Sequence, residues 1–102
     1  WQLRSHDEPI VAAQKEIANY LRMKGIEFIN PAMNKKSPLP EGWPDFTLAL
    51  PKHPIGLEVK VWGQKPRPEQ EARHQKMRNN GWNVFVVSGV AEVVDILNTI
   101  NP

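Results

Sequence analysis

Ile55-Gly56-Leu57-Glu58-Val59-Lys60-Val61-Trp62 is an apolar run carrying two charges at alternate positions. Its branched and aromatic content, bounded by Pro54 and Gly63, predicts a β-strand over Ile55 to Trp62. Side chains two apart on a strand share a face, so Glu58 and Lys60 emerge side by side. Leu57, Val59 and Val61 then face the other way, into a core. A carboxylate and an ammonium on such a strand are costly to bury unless they pair or do chemistry. Upstream, Gly42-Trp43-Pro44-Asp45 adds a second acid in a turn. Taken singly, Glu58 and Lys60 read as an ion pair and Asp45 as a turn residue after proline. Together they suit a divalent cation held against a phosphodiester.

Working outward, Glu8-Pro9 to Lys24 predicts an amphipathic helix. Pro9 suits its first turn, Ile10, Ala13, Ile17 and Leu21 recur at helical spacing, and Gly25 stops it. Ile26 to Ile29 predicts a short strand. Asn30 to Pro44 holds four prolines and a Lys-Lys pair without periodicity, and reads as a loop. Phe46 to Leu50 predicts the next strand, joined to the Glu58 strand through Pro51-Lys52-His53-Pro54. A helix from Glu69 to about Asn79 follows, ended by Asn79-Asn80-Gly81. Asn83 to Ser88 predicts a buried strand and Ala91 to Ile100 a closing amphipathic helix. A strand-helix-strand crossover makes the last two strands parallel, while the earlier ones are joined as hairpins. The expected fold class is α/β, a mixed four-stranded sheet flanked by helices.

The 102-residue chain is long enough for one core and too short for two, so a single domain over 1–102 is expected. Residues before about Asp7 are expected to carry little of the fold. No apolar stretch approaches the roughly 20 residues that cross a bilayer. The opening Arg4, His6, Asp7 and Glu8 do not read as a signal peptide, and the cytoplasm is the default compartment. The sequence has no cysteine, which excludes disulfides and thiolate metal sites. His6, His53 and His74 lack zinc-ligand spacing. The net charge of +2 is small, yet Lys35, Lys36, Lys60, Lys65, Arg67, Arg73, Lys76 and Arg78 gather around the acidic motif. Such a patch attracts phosphates even on a nearly neutral chain, although Lys and Arg also simply solvate surfaces.

Gly42-Trp43-Pro44-Asp45, Glu58-Val59-Lys60, Glu69-Gln70 and the strand entry from Asn79 through Gly81-Trp82 to Val84 and Val86 resemble the PD-(D/E)XK nuclease superfamily. More narrowly they resemble its VRR-NUC (virus-type replication-repair nuclease) branch, found in phage proteins and in a eukaryotic DNA-repair nuclease. The likeness runs from the first helix to the last. It implies a restriction-endonuclease-like core and a metal-dependent deoxyribonuclease. It further implies that Asp45 and Glu58 bind Mg2+ or Mn2+, with the backbone carbonyl of Val59 completing the set. Lys60 matches the lysine that orients or activates the attacking water, and Gln70 the glutamine that supports the site. His74 lies one turn after Gln70 on the same side. Relatives carry a further glutamate on the first helix. Glu16 is the favoured match, with Gln14 and Glu8 as the alternatives and a solvated helix face as the competing reading.

Lys35 and Lys36 in the loop, then Lys65 and Arg67 beyond the strand, are the expected DNA-phosphate contacts. Trp43, Trp62 and Trp82 have the chemistry to stack on bases, but aromatics beside strands usually pack, the reading favoured for Trp82, while Trp43, next to the acidic turn, is left open. A small phage-type member in a bacterial or infected host cell is expected to work as a homodimer. Two-fold symmetry would set two sites on opposite strands of branched DNA such as a four-way junction. A catalytically silent DNA-binding module is the alternative.

Overall fold

The computed structural model describes residues 7–31 and 39–100. The Ile10-Ala13-Ile17-Leu21 stripe produces α1 (Asp7–Met23). It ends as Gly25 takes φ +72° and Ile26 N–H closes on the Leu21 carbonyl at 2.9 Å, the left-handed exit that glycine permits. Strands β1 (Glu27–Ile29), β2 (Phe46–Ala49) and β3 (Ile55–Val59) follow, then α2 (Pro68–Asn79), β4 (Asn83–Val87) and α3 (Val90–Ile100). Element order and strand directions are those the sequence predicts.

The sheet runs β1-β2-β3-β4. The β1/β2 and β2/β3 pairs are antiparallel, and β3 lies parallel to β4 with Glu58 opposite Val86 and Val59 opposite Val87. Every residue of β3 is buried, as befits a central strand covered on both faces. On one face Phe46, Leu48, Ile55, Leu57, Val59 and Val87 pack with Ile17, Ala18 and Leu21 of α1 and Val93 and Leu97 of α3. The opposite face of the same strands carries Glu58, and α2 lies over it with Gln70, His74 and Met77 inward. No described helix is long and apolar enough to cross a membrane.

Strand β3 is shorter than its sequence suggests. It stops at Val59 rather than Trp62, because β2 begins only at Phe46 and offers no backbone partner further along. Val59 N–H donates instead to the Asp45 carboxylate at 2.7 Å, a side chain standing in for the missing strand. The chain then turns over Val61–Gln64, with Gln64 N–H on the Val61 carbonyl at 2.9 Å and Gly63 at φ +88°. This is a turn whose third position favours glycine.

Candidate functional site

Each residue of Gly42-Trp43-Pro44-Asp45 has a separate physical task in placing the acid. Gly42 closes a turn in which Trp43 N–H donates to the Pro40 carbonyl at 3.2 Å, and it adopts φ +81°. It also packs directly on the Glu69 carbonyl of α2, where a Cβ atom would collide with backbone. Trp43 donates from Nε1 to Thr47 Oγ1 at 2.8 Å and meets Trp82 edge-on, with centroids 5.9 Å apart. Pro44 is fully buried. Its ring sits over Gly56, so that a Cβ added there would lie 2.8 Å from Pro44 Cγ.

The result is that Asp45 is pinned from two sides, through its bond to Val59 N–H and through Pro44 on β3. Gly56→Ala is therefore expected to displace Pro44, and Asp45 with it. Overpacking of this kind costs about 1–3 kcal/mol, and a shift of about 1 Å at a reacting centre lowers turnover about a hundredfold. A urea melt alongside a nuclease assay checks both expectations. Folded protein with unchanged turnover would show that this contact does not set the acid.

Glu58 is 1% exposed and is held at both oxygens. Oε1 meets His74 Nε2 at 3.2 Å. Oε2 accepts from Gln70 Nε2 at 3.3 Å and lies 3.9 Å from Lys60 Nζ. The orientation of the Gln70 amide is fixed by the helix it opens, because its Oε1 accepts the Arg67 N–H at 2.8 Å. Only the NH2 group is left for Glu58. The local helix-start reading and the site reading of Gln70 are thus both true of the geometry.

Burial pushes the Glu58 carboxyl up to about 9, helped by the charge of Asp45 and a hydrogen bond with it, and opposed by Lys60 and Arg67. Burial, then Arg78, holds His74 below the usual imidazole range, so its contact with Glu58 is a hydrogen bond of a neutral ring rather than an ion pair. His74 Nδ1 is buried with no partner among the described residues. An orphaned ring acceptor is less costly than an orphaned N–H, which favours the proton on Nε2, directed at Glu58.

Asp45, Glu58, Lys60, Gln70 and His74 therefore come together, and Val59 lies between the two charged residues of β3. Glu16 is not brought to them. It is exposed on α1, whereas the first two turns of that helix, at Pro9, Ile10 and Ala13, lie beside Val59 and Lys60 around a hollow of about 260 Å3. Gln14 is half-buried, and the side chain of Glu8 lies outside the described residues. Lys65 and Arg67 are exposed on the connection after β3, with Arg67 paired to Glu69 at 3.1 Å. Lys35 and Lys36 lie outside the described residues. A larger hollow of about 460 Å3, between Arg22 and Asn30, contains none of these groups. The packing of Pro44 on Gly56 is invisible to motif reading; a glycine inside an otherwise apolar strand is its only trace.

The motif resemblance implies a divalent cation at this site. Among the described residues no three His, Cys, Asp or Glu side chains form a ligand cluster. Two carboxyls within hydrogen-bonding reach of each other do face one another, and Glu58 is kept protonated by burial first and then by the charge of Asp45. Like charges so placed ionise together only with a counter-cation. An all-oxygen set of one or two carboxylates, leaving room for waters and phosphate, is what Mg2+ accepts. The residues fit the ion.

No protein-family model matches the chain, and no curated protein does. Among solved structures it is similar to a VRR_NUC domain, with TM-score 0.71 and 27% identity over 92% of this chain and 98% of that one. It is also similar to a VRR_NUC domain protein, with TM-score 0.64 and 19% identity over 95% of this chain and 88% of the other. The fold and its acidic face define a nuclease-fold α/β domain. The likeness to the first of these supports membership of the VRR-NUC family.

Proposed function

We propose that the protein is a divalent-cation-dependent endodeoxyribonuclease that hydrolyses phosphodiester bonds in branched DNA. The observation that carries this reading is the meeting of Asp45, Glu58 and Lys60 at the C-terminal end of the central strand β3. Asp45 and Glu58 are the residues that would hold Mg2+ or Mn2+, with the Val59 carbonyl on the same strand edge as the N–H that Asp45 accepts. Such an ion, when bound, lowers the pKa of its water and draws charge from a phosphoryl oxygen.

The remaining work belongs to the chain. Gln70 and His74 fix the plane of the Glu58 carboxylate by engaging one oxygen each. Lys60, with its side chain 16% exposed, keeps a compact positive charge at the mouth of the site. There it can donate to the phosphoryl oxygens as charge develops on them. Lys65 and Arg67 after β3, and Lys35 and Lys36 earlier in the sequence, are assigned to phosphates further along the DNA strand.

A two-fold homodimer in the host cytoplasm would present two such sites to opposite strands, which suits four-way junctions. The test is a panel of junction, flap, splayed-arm and continuous duplex DNA, with Mg2+, Mn2+ or EDTA. Cation-dependent cleavage favouring branched forms is expected. Binding without cleavage in either cation would instead identify a silent DNA-binding module.

A further inference from the structure

The structure assigns Trp62 as a stacking platform for an unpaired nucleobase beside the reacting phosphate, which makes DNA with splayed or single-stranded nucleotides at that point the preferred substrate. This rests on the nuclease reading and adds to it a binding residue and a substrate feature.

The other two described tryptophans near the site are committed to packing. Trp43 and Trp82 contact each other edge-on, and Trp43 also bonds Thr47. Trp62 is 81% exposed. Its backbone is fixed, because it occupies the second position of the hydrogen-bonded Val61–Gln64 turn, with Gly63 supplying the positive φ. The indole thus projects from a fixed corner two residues beyond Lys60. Hollows of about 150 Å3 and 260 Å3 adjoin this segment, and each is bordered by both Lys60 and Trp62. Exposed Gln64 and Lys65 follow directly.

An exposed aromatic plane set among cations is the arrangement that binds single strands, with the cations tracking phosphates and the ring accepting any base. Inside a continuous duplex both faces of a base are covered by its neighbours, so the indole gains a partner only where a nucleotide is unpaired or terminal. Self-association through Trp62 is disfavoured by the same surroundings. A two-fold contact centred there would bring the Lys65 side chains of both copies together.

The test reads binding by fluorescence anisotropy in EDTA, using labelled splayed-arm and continuous duplex DNA with wild-type, Trp62→Ala and Trp62→Phe proteins. Trp62→Ala is expected to weaken splayed-arm binding roughly tenfold to a hundredfold and to leave continuous duplex within about twofold. Trp62→Phe should recover most of the loss. Tryptophan emission should be quenched by single-stranded DNA in the wild type and much less in Trp62→Ala. Equal losses on both DNAs, no loss on either, or no affinity of the wild type for either would overturn the assignment. So would loss of self-association on gel filtration with DNA affinity unchanged. Because no cation is present, these outcomes are independent of whether Asp45, Glu58 and Lys60 cleave; that reading fails separately, in the cleavage panel.

Discussion

Asp45→Asn is expected to reduce cleavage of a four-way junction by about a thousandfold while leaving the protein folded, as removal of a single group at such a centre does. The geometry explains why the two effects separate. The carboxamide oxygen can still accept the Val59 N–H that Asp45 Oδ2 takes at 2.7 Å, so the strand end remains capped. What disappears is one of the two negative charges that a cation needs. Lys60→Ala is expected to produce a loss of similar size by another route, since it removes the ammonium 3.9 Å from Glu58 without touching the carboxyl pair. Lys60→Arg should rescue poorly, because a planar fork does not replace a compact charge. Groups that act as a unit are not additive, so the double variant should be about as inactive as either single one. Single-turnover cleavage with circular dichroism of each variant checks this. Full activity in Asp45→Asn with Mg2+ present would sink the assignment of the site.

Glu58→Gln is expected to stabilise the cation-free protein at alkaline pH. Folded Glu58 keeps its proton up to about 9, whereas the unfolded chain releases it near 4.5. Stability from this group is therefore complete below 4.5, declines as pH rises, and is gone above about 9. The slope is at most about 1.4 kcal/mol per pH unit for one proton. His74 acts with the opposite sign, because burial depresses its pKa, but only below its ordinary value of 6.5. The window from pH 7 to 9 therefore isolates Glu58.

Over that range the melting temperature of the wild type in EDTA should fall, and that of Glu58→Gln should stay nearly flat. The introduced amide can accept from Gln70 through its oxygen while carrying no charge to bury. Stabilisation by added Mg2+ or Mn2+ should grow with pH in the wild type, since the cation competes with the proton, and should be weak in the variant. Parallel pH profiles for the two proteins would show that Glu58 is already ionised in the cation-free fold.

The architecture was legible because its signals are periodic. The helical stripe of α1, the alternation through Glu58 and Lys60, and the crossover through α2 leave few arrangements open. The meeting of Asp45 with Glu58 was legible only through motif resemblance, since neither spacing nor charge states which turn docks on which strand. Strand length was overestimated over Lys60, Val61 and Trp62 because apolar content persists beyond the point where a β2 partner exists. The first-helix acid was not resolvable from sequence. A helical stripe gives the buried face, but the crossing of α1 over β3, which puts Pro9 rather than Glu16 beside Lys60, comes from three-dimensional packing. His74 was placed on the correct side by its spacing from Gln70, while its direct bond to Glu58 depends on how deeply α2 sits on the sheet.

Gln70 serves two masters with one planar group, its oxygen finishing the entry into α2 and its nitrogen steadying an acid on another element. Rotating the amide by half a turn would face a carbonyl toward a carboxyl and an NH2 toward an N–H, losing both bonds at once. Secondary-structure formation and alignment of the acid are thereby inherited as a single trait, and drift at position 70 is penalised twice.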